Sequence, residues 1–265
     1  MCYSSVAQSV EHLTVNQGVT GSSPVRGAIS EIYKDALCRI LFCVGDFMID
    51  SRIAAMINFV RAGSRVADIG ADHGYLAIEL AKSGRASFVI ATDKNSGPLA
   101  AAKKNIAAAN LENLIEVRQG DGLKILHAGE VDAICIGGMG GALIAEILEN
   151  SPEVSGAVGQ LILQPMNAVE KILAWLKNNG WLVADVDLAE SNGIIYEIIS
   201  ATKNPALVRR ETKKNNSPLL KKFLGQRLKK LRRVVNEMSK SPAAASSEKF
   251  LDFQKEMNAL EKIIG

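Results

Sequence analysis

The chain has 265 residues, 48% hydrophobic and 22% charged, and a formal net charge of +3. That is enough to bury a full core with an appendage, while no apolar run approaches the roughly 18–20 residues of a membrane-spanning helix. With no secretory leader pattern and no CxxC or zinc-type spacing among Cys2, Cys38, Cys43 and Cys135, the expectation is a cytoplasmic protein, monomeric, with reduced thiols, no metal and no membrane partner.

Residues 1–47 show no sustained period of 2 or 3.6, and Gly18, Gly21, Pro24 and Gly27 punctuate them. Val6–His12 back-translates into a sequence resembling the D-arm of a tRNA gene, and Gly21–Pro24 into its T-arm, fifteen codons downstream. The expectation is a non-native or disordered leader, with Met48 as the natural start. From there the pattern is regular. Asp50 or Ser51 can cap a helix whose Ile53, Met56, Ile57 and Val60 share a face. Val66–Ile69 is the first strand, and Gly70-Ala71-Asp72-His73-Gly74 turns it into a helix of apolar spacing. Phe88–Asp93 is the second strand, and Ser96 caps the helix that follows. Ile115–Gln119 with Gly120-Asp121-Gly122 is the third strand and its turn, and Val131–Ile136 is the fourth, followed by Gly137-Gly138-Met139-Gly140-Gly141. Gln160–Pro165 is the fifth, and a helix runs from Ala168 to near Gly180. Trp181–Leu188 and Ile194–Ala201 are joined by a segment too short for a crossover helix, so they pair antiparallel. Five β-α units closed by such a hairpin predict an α/β, Rossmann-like sheet of seven strands, the last antiparallel, over residues 48–203.

Residues 204–265 differ in kind. Leu224, Leu228, Leu231, Val235 and Met238, then Phe250, Phe253, Met257, Leu260 and Ile264, recur at alternating intervals of 3 and 4. Two coiled-coil seams separated by Pro242 predict a helical hairpin. Residues 201–265 carry 16 Lys and Arg against 6 Asp and Glu, whereas residues 1–200 carry 15 against 22. A basic appendage beside an acidic body is a composition for holding a polyanion at one end, and Lys222, Arg227, Lys230 and Arg233 are the expected contacts.

Ligands of open α/β sheets lie beyond the carboxyl ends of the strands. A dinucleotide fingerprint starting at Gly70 would need glycine where Asp72 and Tyr75 stand, and the Asp72 carboxylate repels a pyrophosphate. S-adenosylmethionine carries no phosphate and a cationic sulfonium, so the acidic turn suits it. The expected donor site comprises Asp68, Gly70 and Ala71, Asp93 and Lys94 with Asp93 accepting from a ribose diol, Asp121 and Gly122 at the adenine edge, and Gly137, Gly138 and Met139. Gly140, Gly141 and Pro165 are expected to pass the acceptor base, with Gln164 and Asn167 reading its edge. Asp72, Gln164 and Asn167 are the catalytic candidates.

The succession DIGADHGYL, ATDKN, GDGL, CIGGMGG and LILQPMN, ahead of a basic helical hairpin, resembles the bacterial tRNA (adenine-22-N1)-methyltransferase family over residues 48–264. The resemblance implies a class I methyltransferase domain, a C-terminal coiled-coil domain, S-adenosyl-L-methionine as donor and tRNA as substrate. Members often read QPN, whereas Met166 here precedes Asn167. The alternatives are a small-molecule methyltransferase, which leaves the basic appendage unexplained, and a non-catalytic RNA-binding protein on a Rossmann-like scaffold.

Overall fold

A computed structural model describes residues 49–208 and 217–264; the expected leader over 1–47 lies outside the described residues. The first helix, α1 (Ser51–Phe59), starts at Asp50, whose side chain accepts the Arg52 amide and so caps the helix. Then come β1 (Ser64–Ile69), α2 (Tyr75–Lys82), β2 (Ala86–Asp93), α3 (Ser96–Ala108), β3 (Ile115–Gln119), β4 (Ala133–Met139), α4 (Gly141–Glu149), α5 (Pro152–Ala157), β5 (Gln160–Pro165), α6 (Val169–Asn178), β6 (Leu182–Ser191) and β7 (Ile194–Thr202). The strands form one sheet in the order β3-β2-β1-β4-β5-β7-β6. β1 to β5 pair in parallel, and β7 runs antiparallel to β5 and β6, as the short connection between the last two strands requires. The order reverses between β1 and β4, which opens a crevice above those two strands.

Apolar residues of β1, β2, β4 and β5 fill the core, where Ile69, Ile90, Ile134, Ile136, Leu161 and Leu163 are buried beneath Ile144 and Leu148 of α4 and Ile172 and Leu176 of α6. Cys135 is a fully buried thiol whose pKa burial pushes well up, so it packs as a small apolar group. Burying each of the larger Ile and Leu side chains contributes about 1.5–3 kcal/mol.

Several boundaries differ from the sequence reading, with β1 starting at Ser64, β2 at Ala86 and β4 at Ala133, and three further differences bear on the site. β4 does not stop at Ile136: its ladder to β5 continues through Gly137↔Gln164 to Met139↔Pro165, with an irregularity at Gly138, which has φ +73°. Glycine permits that bulge, so the cluster is partly strand. β6 and β7 extend until Asn192-Gly193 remain between them, both at positive φ (+51° and +77°), a two-residue hairpin turn. The N-cap of α3 is Asn95 and not Ser96.

After a 3₁₀ turn at Pro205–Leu207, the described chain resumes in α7 (Pro218–Ser239), the short α8 (Pro242–Ala245) and α9 (Glu248–Ile264). Ser217 caps α7 through the Leu220 amide. Leu228, Leu231 and Leu260 form a buried seam with Leu224, Phe253 and Met257 against it. The chain between Ser239 and Glu248 is too short to run back along α7, about 33 Å long, so α9 returns antiparallel. Ile264, expected in the seam, is exposed at 42%. Ion pairs Arg227–Glu256 and Arg232–Glu261 flank the seam, and Lys222 pairs with Glu190 of β6.

Candidate active site

The carboxyl ends of β1, β2, β4 and β5 bring most of the predicted residues together. Gly70, at φ +74°, turns the chain out of β1; its amide and that of Ala71 both donate to the Thr92 carbonyl at 2.8 Å, tying the turn to β2. Asp72 follows in the left-handed region, φ +49°, with its side chain exposed and one oxygen 3.7 Å from His73 Nε2. His73 in turn stacks on Tyr75, centroids 5.6 Å apart. Gly74, also left-handed, is the N-cap of α2 and offers it no side-chain bond. Asp68 supplies what Gly74 lacks: its carboxyl accepts the Ala77 amide in the first turn of α2.

Asp68 is buried, and its Oδ2 has no hydrogen-bond partner among the described residues. Burial, helped by the nearby Asp93 charge, pushes its pKa up to about 7. A buried carboxyl oxygen without a partner is costly, which makes it a natural acceptor for a cationic or donor group of a bound ligand.

Asp93 ends β2, with one carboxylate oxygen accepting the Asn95 amide at 2.8 Å. It therefore braces the entry to α3, while its other oxygen meets no protein donor among the described residues. Lys94 contributes its carbonyl, which accepts from the Gln119 side-chain amide. Asp121 is exposed and ion-paired with Lys124, which lowers its pKa. Gly122 sits behind it at φ +61°, a Cβ's width from Ile147.

The other side of the crevice is built from β4 and β5. Gln164, 2% exposed, accepts the Gly138 amide on Oε1 at 2.9 Å and donates from Nε2 to the Pro165 carbonyl at 3.1 Å. Both ends of its amide are thus engaged by the backbone of the glycine bulge and of Pro165, where the sequence reading expected them to face a base edge. The Met166 amide donates to the Met139 carbonyl at 2.8 Å and the Gly141 amide to the Asn167 carbonyl at 3.0 Å, which locks the two rims together. A Cβ on Gly141 would lie 2.3 Å from the Ala168 carbonyl oxygen, and one on Gly140 would lie 3.1 Å from Asn167 Oδ1. The four glycines therefore answer to separate demands, among them backbone approach at Gly141 and the Asn167 amide lying over Gly140. Met139 bridges the halves, its methyl occupying the place a Gly70 Cβ would take.

The predicted RNA contacts lie apart from this crevice, exposed on α7. Lys222 and Arg227 are engaged by Glu190 and Glu256. Lys230 and Arg233 face solvent on the side opposite the Leu228–Leu231 seam. Sequence reasoning missed Arg52 and Tyr196, which sit beside the rim; the signal was thin, an arginine one turn before Met56 on the first helix.

A shallow cavity lined by Arg61, Arg65, Asp132 and Gly159 lies at the opposite, amino-terminal end of the strands, with its guanidiniums bonded to Gly159, Gln160 and Asp132. Among the described residues there is no cluster of His, Cys, Asp and Glu able to hold a metal and no helix long and apolar enough to cross a membrane.

Comparison with known proteins bears on this arrangement directly. Residues 49–199 match the family model described as a methyltransferase domain. The tRNA (adenine(22)-N(1))-methyltransferase of Bacillus subtilis is 37% identical over 158 residues, 60% of this chain and 66% of that protein, just under two thirds of its length. The crystal structure of the B. subtilis m1A22 tRNA methyltransferase superposes with a TM-score of 0.70 at 30% identity, covering 83% of this chain and all of that one. The chain belongs to this methyltransferase family. Streptococcus pneumoniae Sp1610, whose crystal structure contains S-adenosyl-L-methionine, aligns with a TM-score of 0.65 at 29% identity over 82% of this chain and all of that one. The Rossmann-like sheet of this methyltransferase is the fold its sequence predicted.

Proposed function

We propose that this protein is an S-adenosylmethionine-dependent tRNA methyltransferase that modifies N1 of adenine 22, working as a cytoplasmic monomer with a methyltransferase domain over 48–203 and a basic helical RNA-binding domain over 204–265. The observation that carries this reading is the meeting of an acidic glycine turn on β1 with a glycine-rich acceptor rim on β4 and β5, bridged by Met139 over Gly70. The unpartnered, buried Asp68 oxygen fits the donor's ammonium group. Gly70 and Ala71 allow close approach of its amino-acid moiety, Asp93 takes the ribose hydroxyls on its remaining oxygen, and Asp121 with Gly122 borders the adenine. Bound there, the donor supplies an electrophilic methyl group.

The acceptor nitrogen, adenine N1, has its lone pair in the ring plane, so the reaction asks for alignment and charge stabilisation before it asks for a base. Gln164 holds the Gly138 bulge open, Gly140 and Gly141 let the flat base pass the backbone, and the exposed Asp72 carboxylate offsets the positive charge that appears on the methylated ring. An adenine paired in folded RNA must first be unstacked, at a cost of a few kcal/mol.

Incubation with tritiated donor and unmodified tRNA, followed by nucleoside mapping, tests this. Label in 1-methyladenosine at position 22, lost when that base is replaced by guanine, is the expected result. Label in another nucleoside or in small molecules alone overturns it.

A further inference from the structure

We propose that Arg52 grips a backbone phosphate at the methylated nucleotide, and that the Met166 side chain fills that place on Arg52 until the RNA arrives. This rests on the tRNA-methyltransferase reading and adds to it a named contact on the acceptor side.

Arg52 stands in the first turn of α1, and two groups fix its guanidinium, one of them braced by a third. Asp50 receives Nε at 3.0 Å and Nη2 at 2.7 Å, Ser191 Oγ donates to Asp50 Oδ2 at 2.9 Å, and the Tyr196 ring lies 5.1 Å beneath the cation. A guanidinium held along one edge and one face has its remaining edge aimed in a single direction. That edge, Nη1, points at Met166 Sδ, 3.6 Å away. A thioether is a weak acceptor, so Nη1 meets a group far below its bonding capacity, while Asp50 keeps the opposite edge and balances the charge without covering Nη1.

Met166 marks the acceptor rim. Its sulfur also lies 3.8 Å from Gln164 Nε2, and Gln164 holds the Gly138 amide, so two side chains separate Arg52 from the glycine bulge. Met166 is 42% exposed and unbranched, free to swing aside at little cost. Arg52 has no such freedom, because Met56, one helical turn further along α1, packs where a Gly137 Cβ would lie, 2.9 Å from its Sδ. The helix that carries Arg52 is thus keyed to the strand that carries the glycines. A planar fork of N–H groups beside the point where a base must enter fits phosphate oxygens better than a base edge, since phosphates accept along a broad front and carry full charge.

The test uses the full-length protein and unmodified tRNA, comparing wild type with Arg52→Gln and Arg52→Lys. The logarithm of the tRNA association constant is plotted against the logarithm of salt concentration, and donor affinity is measured by calorimetry. Removing one phosphate contact should reduce the magnitude of the slope by about 0.7–0.9 in Arg52→Gln. Its KM for tRNA should rise about tenfold or more while donor affinity stays within about twofold. Arg52→Lys should keep the wild-type slope, because the charge remains, with a raised KM because the fork is lost. An Arg52→Gln slope equal to wild type, with lowered thermal stability alone, overturns the proposal and leaves Arg52 as a brace between α1 and the β6–β7 turn. If wild type itself fails to methylate tRNA, it is the proposed function that falls.

Discussion

At the scale of single residues, the site depends on groups held in states they would not adopt in water. Asp68 has an ordinary carboxyl pKa in the unfolded chain and one of about 7 in the folded chain, because burial disfavours its charged form. The folded state therefore binds the proton more tightly. Stability from this group is fully present below pH 4, declines as pH rises toward 7, and is flat above, with a total span on the order of 4 kcal/mol. Denaturant unfolding of the ligand-free protein at pH 5 and pH 8 should show that decline, and Asp68→Asn should flatten it. The same variant should weaken donor binding, read by calorimetry, because its amide presents no charge to an ammonium group. Glycines give a second test. Gly138→Ala meets open space and costs the strain of φ +73°, about 1–2 kcal/mol. Gly141→Ala drives a Cβ into the Ala168 carbonyl at 2.3 Å, which backbone cannot easily yield, and should cost more than Gly138→Ala in the same unfolding assay. From sequence, the four glycines were legible as a place of close approach. That Gly137 answers to Met56 of α1, and Gly140 and Gly141 to the Asn167–Ala168 segment after β5, was not, because those neighbours lie far away in the chain.

At the scale of elements, strand and helix identity followed from periodicity, and β5 at Gln160–Pro165 falls where its apolar run put it. Boundaries failed where tertiary pairing overrides local signals, as in β4, which continues through two glycines because β5 offers partners. The role of α1 was hidden for the same reason: its Asp50 and Ser51 bond to Ser191 and Glu190 at the far end of the domain sequence. Charge on α7 shows a similar division. Lys222 and Arg227 are already neutralised by Glu190 and Glu256, and an RNA phosphate must displace those carboxylates to use them. Among the described residues Lys230 and Arg233 form no ion pair, Glu237, which feels Arg233 only at a distance, being bonded to Lys240. Lys230→Ala with Arg233→Ala should therefore lower tRNA affinity and its salt slope more than Lys222→Ala with Arg227→Ala, measured by filter binding across a salt series.

For the whole molecule, sheet order decides where the charge goes. In the proposed reading the donor turns belong to β1, β2 and β3 and the acceptor rim to β4 and β5; beyond β5 come β7 and β6, and on β6 the Lys222–Glu190 pair tethers α7. The basic hairpin is thereby joined to the acceptor half of the sheet, away from the donor half. A polyanion held along α7 is therefore expected to approach from the β6 side of the sheet, so binding of donor and of RNA should be separable. Deletion of residues 205–265 should leave calorimetric donor affinity within about twofold, since the donor residues all precede the cut. It should remove most tRNA affinity together with its salt dependence. In the full-length protein that dependence should be steep, on the order of a thousandfold between about 50 and 200 mM salt if six or more phosphates are neutralised. Retained tRNA affinity with an unchanged slope in the truncated protein would place the RNA-binding charge on the methyltransferase sheet, against the surplus of acidic residues in the first 200 positions.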